Sequence, residues 1–344
     1  MKPLNQYLEY AIKEGASDLH LVAHEKPMVR IHGELIPIAE EPLGEKEVET
    51  TILGILSAEN KKKFDVEHDL DFGYTHKKTR FRVNVHRQEQ SIGFAARLIP
   101  TEIPTGEMLR FESPLYEATK LIDGLVLVVG PTGNGKSTTI ARMIEEINTS
   151  RNAHIITIED PMEFVFESKK SLIEQRELGG DTPSFASALK HVLRQDPNVI
   201  MVGEMRDPET IATALTAAET GHLVFSTLHT SSAAEAIERI VDVFEGPKQK
   251  QVLIQLSSVL RVVIAQQLLP SIDGTRVVAR EILINTPAVA NLIRENNVAQ
   301  LASAIQTGAK SGMLTMEQSV RWLAKEKLIS EETAANRVGR DKHL

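Results

Sequence analysis

Leu125-Val-Leu-Val-Val-Gly130-Pro-Thr-Gly-Asn-Gly-Lys136-Ser137-Thr138 is the stretch on which the reading of this chain turns. Residues 130–137 match the phosphate-binding pattern GxxxxGK[ST] in full. An apolar strand precedes the motif and helical spacing over 137–148 follows it, which is the context the pattern requires. Glycines let backbone N–H groups approach and cradle phosphates at a helix N-terminus. The candidate nucleotide site is Gly130, Pro131, Thr132, Gly133, Asn134, Gly135, Lys136, Ser137 and Thr138, with ATP and Mg²⁺ as cofactors. Lys136 is expected to reach the β/γ-phosphates and Ser137 to ligand the metal.

Outward from this loop, HIITIED (154–160), NVIMVGE (198–204) and HLVFSTLHT (222–230) repeat the pattern of an apolar run ending in polar residues. Such strands are buried on both faces, as in a parallel sheet, and ligands bind at their carboxyl ends. Helical spacing over 137–148, 185–194, 208–218 and 232–244 alternates with them, so the region from 115 onward is predicted to be α/β. In 232–244 the spacing puts Ile237, Ile240, Val241 and Phe244 on one stripe. A hairpin is expected around Asp273-Gly274, and the remainder is mostly helical.

Carboxylates near metal and water come from two strand ends. NVIMVGE has the apolar-run-then-acid form of a Walker B site, with Glu204 as the acid and Gly203 where many P-loop proteins carry Asp; Glu204 is therefore assigned to the metal through water. The second set is Glu159-Asp160-Pro-Met-Glu163, where Pro161 stops the strand. Either Glu163 or Glu204 can orient and deprotonate water, and the sequence does not divide the labour. His229, at the carboxyl end of the next apolar run, can contact a γ-phosphate; His222 at the other end has a weaker claim.

The first hundred residues differ. Alternating patterns at 18–21, 28–32, 69–74, 79–85 and 92–98 predict half-buried antiparallel strands, with helices over 1–15, 45–56 and 58–64 and a hairpin at Gly33-Glu34. Residues 100–114 carry three prolines and a glycine and read as a linker. Across 344 residues, Lys plus Arg number 39 against 47 acids, so the net charge is 39 − 47 = −8, and only 4% of residues are aromatic. That balance argues against nucleic-acid binding, which relies on basic grooves and stacking rings. Zero cysteines exclude disulfides, thiol nucleophiles and cysteine-based zinc sites. No apolar run approaches the ~18–20 residues that cross a bilayer, and residues 1–10 lack a secretory signal. A soluble, intracellular protein is expected.

Taken together, the segments resemble one family, the secretion ATPases that drive type IV pili, and within it the PilT-like retraction motors. The resemblance is carried by Ala16-Ser-Asp-Leu-His20, Arg30-Ile-His-Gly-Glu34, Arg80-Phe-Arg-Val-Asn84, the P-loop, Thr157-Ile-Glu-Asp-Pro-Met-Glu163, Val202-Gly-Glu-Met-Arg-Asp207, residues 220–230, AVANLIRE (288–295) and QTGAKSGMLTM (306–316). It implies a PAS-like α+β N-terminal domain (1–100), a linker (101–114), a RecA-like ATPase core (115–285) and a helical C-terminal region (286–344). It also implies a homo-hexamer at the cytoplasmic face of the inner membrane, acting with an inner-membrane pilus platform protein in retraction and twitching motility. In such a ring, arginines from 80–97 complete a neighbour's site, with Arg82 and Arg97 the best candidates and Arg206 their competitor. Ala290 and Gln90 depart from the family, each standing where relatives carry Arg. The rival readings are an extension or type II secretion ATPase, a PilU-like accessory retraction ATPase, a RecA-like nucleic-acid translocase and a nucleotide-gated scaffold. The absence of the extension motors' four-cysteine zinc site favours retraction.

Overall fold

Alternation in the first hundred residues builds a sheet with one apolar face. The computed structural model describes residues 3–340, and the chain divides into two units. The first comprises the residues up to Glu102 together with Pro161–Val165. It contains β1 (Asp18–Val22), β2 (Met28–Ile31), β3 (Glu34–Pro37), β4 (Asp69–His76), β5 (Thr79–Gln88) and β6 (Ser91–Leu98). They form an antiparallel sheet in the order β3-β2-β1-β6-β5-β4. Helices α1 (Leu4–Lys13), α2 (Glu45–Leu53) and α3 (Ala58–Glu67) supply Leu8, Val48, Ile52 and Phe64 to a core with Leu19, Phe81, Val83 and Phe94. The β2–β3 loop is His32-Gly33, one residue earlier than expected, with φ of 51° and 89°. Positive φ at both central positions is the type I′ geometry that matches strand twist, and glycine accommodates it without strain.

The second unit holds a seven-stranded sheet: β7 (Gly124–Val129), β8 (His154–Glu159), β9 (Leu172–Glu177), β10 (Val199–Val202), β11 (Leu223–Leu228), β12 (Leu260–Pro270) and β13 (Arg276–Ile284). The order is β13-β12-β7-β11-β10-β8-β9, parallel throughout except for the β12–β13 hairpin. Every residue of β7 is buried. Its alternate side chains serve opposite faces: Leu125, Leu127 and Val129 join one core cluster, Val126 and Val128 another. Helices α4 (Ser113–Lys120) and α5 (Lys136–Ser150) pack on the second face through Leu115, Ile140, Met143 and Ile144. The first face receives α6 (Phe185–Val192), α7 (Pro208–Glu219), α8 (Ala233–Asp242), α9 (Pro247–Val259), α10 (Pro287–Arg294) and α11 (Leu301–Thr307). The stripe expected on α8 is buried there, with Ile237 and Ile240 wholly inaccessible. Helix α12 (Met316–Lys325) covers the far end of the β12–β13 hairpin through Met316, Val320 and Leu323, and α13 (Glu331–Arg340) follows it.

The α/β class expected from the alternation of apolar strands and helices is the observed one. Two elements and one junction were not anticipated. Strand β9 reads Leu-Ile-Glu-Gln-Arg-Glu and is an edge strand, so its polarity hides it from a search for buried runs. Helix α4 starts with Ser113-Pro114, where a proline in the first turn lacks only an N–H that has no helical partner anyway. Between α9 and β12 there is no loop: Leu260, at φ −59° and ψ 136°, converts helix to strand in one residue. Among the described residues no helix is long and apolar enough to cross a membrane.

Candidate active site

The P-loop leaves the carboxyl end of β7 and becomes the N-terminus of α5. Gly130, Gly133 and Gly135 have φ of 152°, 78° and 77°, conformations that L side chains rarely adopt. At Gly130 a Cβ would lie 2.4 Å from the Gln266 carbonyl oxygen on β12, so only glycine permits this approach of the two backbones. At Gly133 a Cβ would meet nothing within 4 Å, so the loop's apex is open. An open loop leading into a helix of 15 residues is a fitting cradle for an anion. Lys136 is 8% exposed and its Nζ donates to the carbonyls of Gly130 (2.7 Å) and Pro131 (3.1 Å). Ser137 and Thr138 are half-buried on the first turn of α5.

Glu204 lies just past β10, and its carboxylate has two cationic or polar neighbours. His229 Nε2 is 3.2 Å from Glu204 Oε2, and Arg206 Nε is 2.7 Å from Glu204 Oε1. A carboxylate only accepts, so Nε2 is the donor in this contact. Nδ1 faces the Thr132 hydroxyl at 3.3 Å. The result is a continuous contact chain, Thr132–His229–Glu204–Arg206, from the P-loop to the residues just past β10. Space at Gly203 is tight on one side only: a Cβ there would lie 3.3 Å from the Ile158 carbonyl oxygen, while the Phe185 ring at 3.5 Å is in ordinary contact.

The remaining candidates have other surroundings. Glu163 is exposed on Pro161–Val165, the short segment that groups with the first unit, flanked by the buried Met162 and Phe164. Glu159, at the end of β8, is buried and accepts bonds from Thr157 (2.6 Å) and Gln175 (3.1 Å), which ties β8 to β9. Arg82 and Arg97 are exposed on β5 and β6 as direct cross-strand partners. Arg97 Nε donates to Asp18 Oδ1 at 2.8 Å. Burial would raise the Asp18 carboxyl, but bonds from the Ser17 hydroxyl and the Arg97 guanidinium outweigh it and hold the group below its ordinary value. His222 lies at the amino end of β11, opposite His229, with Nδ1 on the Ala217 carbonyl at 2.9 Å. It closes the end of α7 and takes no place at the P-loop.

Two residues at the site escaped the sequence reading. Gln266 is 1% exposed on β12 and bonds to both Asn134 and Thr139. Asp207, the residue after Arg206 on the chain's path into α7, caps that helix by accepting from the Thr210 amide (2.8 Å) and hydroxyl (2.6 Å). Burial opposes the charged form of Asp207, and the Thr210 bonds prevail, leaving its pKa lowered. The signal for Gln266 was present: a glutamine inside Val-Val-Ile-Ala-Gln-Gln-Leu-Leu is a polar group in a buried run and needs partners.

Comparison with known proteins places the chain in a family. The type II/IV secretion system protein family matches residues 1–340. The chain is 48% identical over 332 residues to the type IV pilus retraction ATPase PilT of Pseudomonas aeruginosa, covering 96% of each protein. It is also 48% identical over 318 residues to a twitching motility protein of Neisseria gonorrhoeae, covering 92% of this chain and 85% of that one. A crystal structure of the pilus retraction motor PilT with bound ADP superposes with a TM-score of 0.90 at 46% identity, covering 98% of this chain and 97% of the other.

Proposed function

The chain belongs to the type II/IV secretion system protein family, and from that premise we propose that it is a hexameric motor converting ATP hydrolysis into type IV pilus retraction. The observation that carries the proposal is the contact chain from Thr132 through His229 to Glu204, because it ties the phosphate-binding loop to a carboxylate suited to activating water. The first unit is a PAS-like domain and the second a RecA-like ATPase; residues 1–100, 101–114, 115–285 and 286–344 are the corresponding domain, linker, core and helical region. The motor works at the cytoplasmic face of the inner membrane on a pilus platform protein.

The chemistry follows from the residues. P-loop amides and the Lys136 ammonium hold the β/γ-phosphates. Water attacks the γ-phosphorus, the bond to the β–γ bridging oxygen breaks, and ADP and phosphate leave. Glu204, kept in place by His229 and Arg206, orients that water and takes its proton; Glu163 is the second carboxylate suited to the task. Ser137, with Glu204 acting through water, would hold Mg²⁺, which when bound neutralises charge on the phosphates. Arg82 or Arg97 of an adjacent subunit offers the guanidinium that stabilises the transferring phosphoryl group, a role suited to a fork that stays charged.

Two measurements test this reading. Lys136→Ala should abolish Mg²⁺-dependent phosphate release. Deleting the gene in its own organism should leave surface pili in excess and remove surface motility. Loss of pili on deletion would instead make the protein an extension motor.

A further inference from the structure

Strand β12 does more than border the P-loop. Its residue Gln266 is wholly buried, and its side-chain amide bridges two points of the loop–helix unit. Nε2 donates to the Asn134 carbonyl at 2.7 Å, and Oε1 accepts from the Thr139 hydroxyl at 2.9 Å. A carbonyl can only accept, so the nitrogen end of the amide must face Asn134, which leaves the oxygen for Thr139. The same residue's backbone carbonyl packs against Gly130, where a Cβ would come within 2.4 Å. Two residues further along β12, the Leu268 N–H donates to Asn134 Oδ1 at 2.8 Å. Three positions of the loop are thus fixed from one strand: its first glycine, its apex-side asparagine and the first turn of α5.

We propose that Gln266 is the positioning residue of the phosphate-binding loop, a role that rests on the reading of this loop as a nucleotide site. A peptide unit is planar and trans, so its C=O and N–H point in opposite directions. With the Asn134 carbonyl drawn toward β12 by Gln266, the Gly135 N–H is turned away from β12, toward the loop's interior. That amide is one of the donors a phosphate meets at the start of a helix. Thr139 contributes the second anchor: its hydroxyl donates to Oε1, so the Gln266 amide is held at both ends and kept against Asn134. Glutamine is the side chain that can donate at one end and accept at the other with this reach. Glutamate would set a second acceptor against the Asn134 carbonyl, and methionine fills similar volume with no donor at all.

The test is nucleotide affinity in the full-length chain, read with Mg-ADP by calorimetry and with ATP by steady-state phosphate release. Gln266→Met should raise the Kd for ADP and the KM for ATP about tenfold, equivalent to ~1.4 kcal/mol, while kcat at saturating ATP falls less than threefold. Thr139→Val should produce the same direction of change, and Thr139→Ser, which keeps the hydroxyl, should restore affinity. A purely structural role would lower the melting temperature and leave the Kd of the folded fraction at the parent value; that result in Gln266→Met overturns the proposal. If Gln266→Met does not fold, the Thr139→Val and Thr139→Ser pair decides, and equal parent affinity in both overturns it. Failure of the parent chain itself to bind Mg-ADP would instead remove the nucleotide reading on which the proposal stands.

Discussion

Replacing His229 with alanine should slow ATP hydrolysis about tenfold without releasing nucleotide. His229 makes two contacts, to Thr132 Oγ1 at 3.3 Å and to Glu204 Oε2 at 3.2 Å, and its side chain is 42% exposed. A hydrogen bond of this kind is worth ~0.5–1.5 kcal/mol net, and solvent screening places both contacts toward the lower end of that range. Their joint loss is then about 1–1.5 kcal/mol, close to one factor of ten in rate if Glu204 is aligned mainly in the transition state. Glu204 retains Arg206, which is why the loss is tenfold rather than complete. Phosphate release at saturating ATP measures kcat, and Mg-ADP calorimetry measures binding. His229 touches neither Lys136 nor Gly135, so the Kd for ADP should move less than threefold. His229→Gln, able to reach only one of the two partners, should fall between. A parent kcat in His229→Ala, or a loss of ADP binding as large as that of Lys136→Ala, would refute the reasoning.

Arg97→Ala should leave thermal stability within ~1 kcal/mol, because an ion pair at a largely exposed guanidinium contributes little, while hydrolysis falls strongly. Mixing it with Glu204→Ala subunits should return part of the activity, and full activity in both Arg97→Ala and Arg82→Ala would end the assignment of a trans-acting arginine. Within 288–295, Ile293 is fully buried in the core and Leu292 packs against it, whereas Asn291 and Arg294 are exposed. Ile293→Ala should therefore cost ~2–5 kcal/mol in a denaturant melt, and Arg294→Ala should spare both stability and phosphate release yet impair retraction in cells. Asp207, with its pKa lowered in the folded chain, stabilises the fold fully above the ordinary aspartate value of ~3.9 and loses that contribution as pH falls through the lower folded value. Unfolding free energies of the parent and Asp207→Ala from denaturant melts should differ by ~1 kcal/mol at pH 6 and converge in acid; a difference independent of pH would show that the charge plays no part in the cap.

What could be read from the chain was whatever a local pattern enforces. Leu125 to Thr138 specified a strand, a glycine loop and a helix because continuous apolar residues, positive-φ positions and helical spacing each act over a few residues. The alternation around Asp18, Phe81 and Phe94 likewise announced a sheet with one buried face, and the acid after Val199–Val202 announced a carboxylate at a strand end. Edge strand β9 and the direct passage from α9 to β12 lacked such signals, since one carries only two apolar residues, Leu172 and Ile173, before a polar run and the other has no turn residue. The partners of each site residue belonged to tertiary structure alone. That His229 spans Thr132 and Glu204, separated from it by 97 and 25 residues, depends on the order β7-β11-β10, which no local pattern encodes. That Gln266 grips a loop 132 residues earlier depends on β12 returning beside β7. A hydrogen bond has reach of about 3 Å and direction, whereas a sequence pattern has only spacing; the sequence could therefore name the groups that do the chemistry, and only the packed sheet could decide which of them meet.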